Sequence, residues 1–153
     1  MAIRSWNKQQ EQVIKRLRNY RALVSKHKAC KDLMNSLFLS TIQNITDMPK
    51  GGGEDLKMES LIDRRTNVRK QMEESLNELK IEIDEVIDLI RPLPPKEYTV
   101  VFRYYLLGES MEIVSANLID CENKQKEISV RHCWRLHNRA ISRLSEKCHC
   151  LAQ

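Results

Sequence analysis

The 153-residue chain is poor in aromatic residues, 5% in all, and holds only four glycines and four prolines. That composition argues against a β-sandwich and against a large enzyme core, both of which draw on aromatic packing and frequent turn residues. No Gly or Pro precedes Pro49, so nothing punctuates the first long stretch of sequence. The five cysteines (Cys30, Cys121, Cys133, Cys148, Cys150) are odd in number and contain no CxxC pair, which points to reduced thiols and not to a disulfide framework. Cys148, His149 and Cys150, even with His132, His137 or Cys121 added, do not follow a zinc-finger or ribbon spacing, so no metal and no cofactor is expected. Lys and Arg interrupt every apolar stretch, no secretory leader is expected at the N-terminus, and a cytoplasmic location without membrane contact follows as the expectation. Gly51, Gly52 and Gly53 lack a strand before them and a Lys-Ser/Thr after them, so they do not make a phosphate loop. No Ser/His/Asp or Cys/His arrangement stands out, and an enzyme is not expected.

What is present is charge, 31% of residues, and a 41% hydrophobic content arranged in helical stripes. The net charge of +5 is unevenly spread. Residues 1–50 carry ten Lys/Arg against three Asp/Glu, residues 51–102 eight against twelve, and residues 103–153 eight against six. An acidic middle between two basic ends suits charge pairing within the molecule, nucleic-acid binding at one end, or both.

The fold class expected is all-α. Residues 6–41 read as one long helix, with Trp6, Val13, Tyr20, His27 and Met34 recurring every seven positions and Leu17, Val24 and Phe38 on the neighbouring seam. Residues 44–53 break it, because Pro49 denies a helical hydrogen bond and three glycines favour a turn. A second long helix over 54–91 opens with acidic residues in its first turn, and its seam runs Val68, Met72, Leu76, Leu79, Ile83, Val86, Ile90. Two such helices most simply make an antiparallel, coiled-coil-like hairpin spanning residues 1–91. Glu73, Glu74, Glu78, Glu82, Asp84 and Glu85 lie off the seam as a solvated face should. Arg91-Pro92-Leu93-Pro94-Pro95 stops the helix and marks the domain boundary.

Three shorter helices are expected in residues 92–153, over 96–107, 110–119 and 129–147. Gly108-Glu109-Ser110 is the first turn, with Ser110 as N-cap, and Ser129 is placed to cap the last helix. In that helix Arg131, Arg135, Arg139 and Arg143 fall four apart along one face, opposite Cys133, Leu136, Ala140 and Leu144. A ladder of guanidinium groups suits phosphates and guanine edges, although by itself such a face is equally a solvated surface. Short helix, Gly turn, short helix, turn and longer basic helix is the order of a helix-turn-helix module.

Residues 93–144, with LPPKEYTVVFRYYLLGESMEIVSANLI and then SVRHCWRLHNRAISRL, resemble the region-4 helix-turn-helix of σ70-type factors, and more narrowly the phage late-gene transcriptional regulators of the ArpU/RinA type. The matching elements are Arg103-Tyr104-Tyr105, Gly108, Ser110-Met111-Glu112-Ile113-Val114, and the run from Cys133 through Trp134, Arg135, Leu136, His137, Asn138, Arg139 and Ala140 to Ile141. The N-terminal half is similar too, in Tyr20-Arg21, in Asp47-Met48-Pro49-Lys50-Gly51-Gly52, and in the acidic helix that runs into the proline break. One departure stands out: residues 120–128 insert roughly seven positions where the family pattern has a short turn. They form either a surface loop or a longer start to the last helix.

The resemblance implies a sequence-specific double-stranded DNA-binding regulator, an activator of phage late genes working in the bacterial cytoplasm at the nucleoid, with promoter or operator DNA and RNA polymerase as partners. The candidate DNA-binding residues are Ser129, Arg131, His132, Arg135, Asn138, Arg139, Arg143, Lys124 and Lys126. Arg131, His132 and Arg135 sit deepest in a groove entered N-terminus first and take the base edges, while Arg139 and Arg143 take phosphate. Trp134 is read first as a packing anchor and second as a stack on sugar and backbone; Arg103 and Tyr105 are read as core-edge residues. The hairpin is free for a homodimer contact or for docking on polymerase. The alternatives are a phage DNA-packaging component of small-terminase type and a σ-like protein-interaction module.

Overall fold

The computed structural model describes residues 6–46, 55–118 and 128–150. The chain is all-helical, with no strand among the described residues: α1 Lys8–Thr46, α2 Asp55–Ile90, α3 Pro95–Val101, α4 Met111–Asn117 and α5 Val130–Cys150. No helix among them is long and apolar enough to cross a membrane.

The start of α1 is fixed by a reciprocal cap. The Asn7 side-chain oxygen accepts the Gln10 backbone N–H at 2.8 Å, and Gln10 Oε1 accepts the Asn7 backbone N–H at 3.1 Å. This capping box satisfies two donors that a helix N-terminus otherwise leaves without partners, and it places the start at Lys8, not Trp6. At the other end α1 runs on to Thr46, beyond the expected 41, because Ile42, Gln43 and Ile45 do nothing to stop a helix. The Pro49–Gly53 break lies outside the described residues. The proline run does end α2: its last residue is Ile90, and the Leu93 N–H bonds to the Ile90 carbonyl at 3.1 Å. Pro95 then opens α3, where a missing N–H costs nothing.

From Phe102 to Leu107 the helix widens into a π-helical turn that closes on Gly108, whose φ of 73° and ψ of 28° are left-handed. The Gly108 and Glu109 N–H groups both reach the Arg103 carbonyl, which the left-handed residue makes possible. A Cβ here would be strained by the backbone and would also run into the Arg21 guanidinium. Ser110 caps α4, its hydroxyl accepting the Ile113 N–H at 3.5 Å.

The chain divides into two compact units, and the division does not follow the proline break. One unit joins Met1–Ala22 to Ile83–Gln153; the other is Leu23–Glu82. In the first unit, Val13, Ile14 and Leu17 of α1 and Val86 and Ile90 of α2 share one buried cluster with Val101, Tyr105, Leu106, Ala140, Ile141 and Leu144. A second cluster, Val100, Met111, Val114, Leu118, Cys133 and Leu136, holds α4 between α3 and α5. The helices after Pro92 are too small to enclose a core by themselves, so the outer turns of the two long helices complete it.

In the second unit Leu23 is buried and His27, Cys30 and Met34 are half-buried, as are Met72, Leu76 and Leu79 of α2. The expected seam residue Val24 is 39% exposed while its neighbour Leu23 is 6% exposed, which corrects the seam by one position. The steps from Leu17 through Tyr20, Leu23, His27 and Cys30 to Met34 average fewer than 3.6 residues, so the covered stripe drifts around the helix and leaves Val24 at its edge. Val68 is 46% exposed, so the α2 seam is not covered at that point.

Candidate nucleic-acid interface

The N-terminus of α5 is capped as its sequence predicts, the Ser129 hydroxyl accepting the His132 N–H at 3.3 Å. From there the helix sorts its residues sharply. Cys133, Leu136, His137, Ala140, Ile141, Leu144 and Ser145 are buried, while Arg131, His132, Arg135 and Arg139 are exposed. The buried residues recur every three or four positions and the cations fill the gaps on the other side. Among the described residues, Arg131, Arg135 and Arg139 make no ion pair. Lys124 and Lys126 lie outside the described residues.

Arg143 differs from the other three. Its Nε lies 3.3 Å from Glu97 Oε2, and the Glu97 side chain is only 5% exposed against 56% for Arg143. The pair lacks hydrogen-bond geometry, and Oε2 has no hydrogen-bond partner among the described residues, so the contact is a charge contact. The last rung of the ladder therefore neutralises a carboxylate of α3. Glu97 was not singled out in the sequence because an acidic residue in a first turn is ordinarily a solvated dipole partner. The available signal was its spacing: Glu97 precedes Val101 by four residues and so shares the apolar face of α3.

Behind the exposed cations sits a ring cluster. His137, 2% exposed, makes a 2.9 Å hydrogen bond through Nε2 to the Tyr105 hydroxyl and a 3.1 Å one through Nδ1 to Asn138 Oδ1. Neutral imidazole satisfies both bonds when Nδ1–H donates to Asn138 and Nε2 accepts from the phenol. Asn138 is thus half-buried and engaged with its neighbour, which distinguishes it from the exposed arginines. Trp134 packs edge-on against Tyr104 at 5.6 Å and against His137 at 5.3 Å, and remains 38% exposed. It anchors one edge of the helix and leaves the other edge beside the basic face. Tyr105 is buried, and Arg103 is paired with Glu109 at 3.0 Å, as core-edge residues should be.

Burial holds the His137 pKa below its usual 6.5 and pushes the Tyr105 phenol up to about 12. For His137 the unfolded chain takes up its proton first as pH falls below 6.5. Its stabilising contribution is complete above that value and drains away as pH drops toward the depressed native value. Calorimetry from pH 7.5 down to 5.5 should show a falling Tm whose slope is reduced in His137→Gln; an unchanged slope in that variant would clear His137 of the effect.

The surface so built is a capped helix with three outward guanidinium groups and an exposed imidazole, held on a packed base. No family model, no curated protein and no solved structure matches this chain. Its functional reading consequently rests on the α5 face. Chemically that face offers bidentate donors to phosphate or guanine. Among the described residues no group of His, Cys, Asp and Glu is arranged to hold a metal ion.

Proposed function

We propose that this protein is a sequence-specific double-stranded DNA-binding transcriptional regulator, an activator of phage late genes, that uses α4 and α5 as a helix-turn-helix with α5 as recognition helix. The observation that carries the reading is the exposed set Arg131, Arg135 and Arg139, which makes no ion pair among the described residues, on a helix whose opposite side is buried. A solvated basic face is usually laced with acidic partners; here the only arginine of the ladder with one is Arg143, among the described residues. The likeness of residues 93–144 to σ70 region 4 and to late-gene regulators supports the same reading. In this reading the long helices carry the contact with RNA polymerase.

Insertion of α5 N-terminus first brings Arg131, His132 and Arg135 to base edges, and Arg139 to the backbone. Ser129 is engaged in capping, so its exposed backbone N–H neighbours are what it contributes to a phosphate. Arg143 drops from the contact list to a supporting place. Asn138 does so as well, through its bond to His137.

Gel-shift titration against promoter DNA selected from late-operon upstream regions tests the proposal. Arg135→Ala should weaken specific binding by about 1–3 kcal/mol, roughly tenfold to a hundredfold, and relax sequence preference at one position. Arg139→Ala should weaken all sequences alike and lower the salt dependence by about one ion. Equal, small effects of both variants would return the face to a solvated surface. Absence of salt-sensitive DNA binding would favour the protein-interaction module, and a footprint inside a packaging gene would favour the packaging component.

A further inference from the structure

Between Arg131 and Arg139 the exposed side of α5 carries hydrogen-bond donors and almost nothing that accepts. Arg131, Arg135 and Arg139 only donate, as does the indole of Trp134, and the imidazole of His132 is the one exposed side chain there that can also accept. The helix has a single side-chain amide, Asn138, which follows Arg135 by three residues and so lies on the same side. An amide in a major groove ordinarily offers an acceptor and a donor together, the pair that reads adenine. What Asn138 can offer is decided behind it.

A directed chain of hydrogen bonds runs there. The Tyr105 phenol is buried, and burial keeps its proton on, with a pKa pushed up to about 12. Among the described residues its hydroxyl has His137 Nε2, at 2.9 Å, as its single hydrogen-bond partner, so the phenol proton is donated there. Nε2 accepts, and the ring proton of the imidazole, held neutral by burial, sits on Nδ1. Nδ1 lies 3.1 Å from the Asn138 amide, and an N–H at that place is met only by the amide oxygen. The Asn138 carbonyl is thus taken up by His137. Its NH2 group remains, a donor like the arginines around it.

A guanidinium that donates along parallel bonds needs adjacent acceptors on one base, and in the major groove guanine alone supplies them, as O6 and N7. Adenine sets a donor beside its acceptor, cytosine shows a donor, and thymine shows an acceptor beside a methyl group. We propose that the DNA taken by α5 carries guanine opposite Arg131 and opposite Arg135, and that the Tyr105–His137–Asn138 relay keeps Asn138 from reading adenine. Four residues of helix rise about 6 Å and one base pair about 3.4 Å, so the two guanines fall within about two base pairs of each other. Tyr105 is a positioning residue for this specificity and acts through His137. The specificity rests on the DNA-binding reading of α5.

Selection of binders from random DNA duplexes by the full-length protein, followed by fluorescence anisotropy at fixed salt, tests it. Wild type should enrich two guanines at that spacing. Placing 7-deazaguanine at either, which removes N7 and keeps the base pair, should weaken binding roughly tenfold. Asn138→Ala should enrich the same site as wild type. In Tyr105→Phe the donor to Nε2 is gone, both tautomers of His137 and both orientations of the Asn138 amide become open, and adenine should be admitted at an added position beside the guanine opposite Arg135. Adding Asn138→Ala to Tyr105→Phe should remove that adenine. A merely structural role for Tyr105 would weaken binding to every duplex and leave the selected site unchanged. That result, guanines indifferent to the loss of N7, or an adenine read through Asn138 in wild type overturns the inference and leaves DNA binding standing. Should Tyr105→Phe fail to fold by circular dichroism, the wild-type and Asn138→Ala selections decide. Enrichment of no duplex at all sinks the DNA-binding reading, and this inference with it.

Discussion

A fragment beginning at Pro92 is expected not to fold. The proline run invites a cut there, and three consecutive helices follow it. Yet the buried cluster that holds α3 and α5 is shared with Val13, Ile14 and Leu17 of α1 and Val86 and Ile90 of α2. Each such side chain loses about 1.5–3 kcal/mol when left in water, so five together represent on the order of 10 kcal/mol. That is comparable with the whole stability of an ordinary small domain, about 5–15 kcal/mol. Circular dichroism of residues 92–153 should show reduced helicity and no cooperative melt. Ile141→Ala in the full chain, at a site with no exposed surface, should cost about 2–5 kcal/mol for the same reason. A fragment that melts cooperatively would show instead that the α1 and α2 contacts are dispensable.

The second large effect concerns Arg143. Were it only a phosphate contact, Arg143→Ala would weaken DNA binding and leave stability unchanged. Its place 3.3 Å from the buried Glu97 carboxylate predicts otherwise. Removing the guanidinium leaves a buried charge without its counterion, which costs about 3–5 kcal/mol for a fully buried pair. Arg143 is more than half exposed, so solvent screens part of the loss and about 2 kcal/mol is expected. Glu97→Gln should be milder, and Glu97→Gln with Arg143→Ala should recover much of the loss. Urea denaturation of the four proteins closes the double-mutant cycle. Additive effects, with no coupling between the two sites, would show that the contact does not stabilise the fold.

Much of this was legible from the chain alone because helix formation is local. The absence of Gly and Pro before Pro49, the proline run after Arg91, and Ser110 and Ser129 ahead of their helices placed the helices and two of their caps to within a few residues. The Asn7–Gln10 cap follows the same local rule and was open to reading from the spacing. Periodicity likewise separated the outward arginines of α5 from Cys133, Leu136, Ala140 and Leu144. Periodicity proved less secure where one step decides between neighbours, as with Leu23 and Val24.

What each helix would meet was decided by tertiary structure. A carboxylate in a first turn reads as solvated until a distant helix closes over it, as α5 does over Glu97. The partner of a buried histidine is equally distant: Tyr105, thirty-two residues earlier, bonds to His137. The same holds for the units: a proline break ends hydrogen bonding along the backbone, but it does not stop side chains on either side from sharing one core. The sequence by itself determined that the chain is helical, that the proline run ends α2, and that one helix carries a row of arginines. Only the packing of segments far apart in the chain decided that Arg131, Arg135 and Arg139 stand open while Arg143 is held, because burial and charge pairing depend on which surfaces meet.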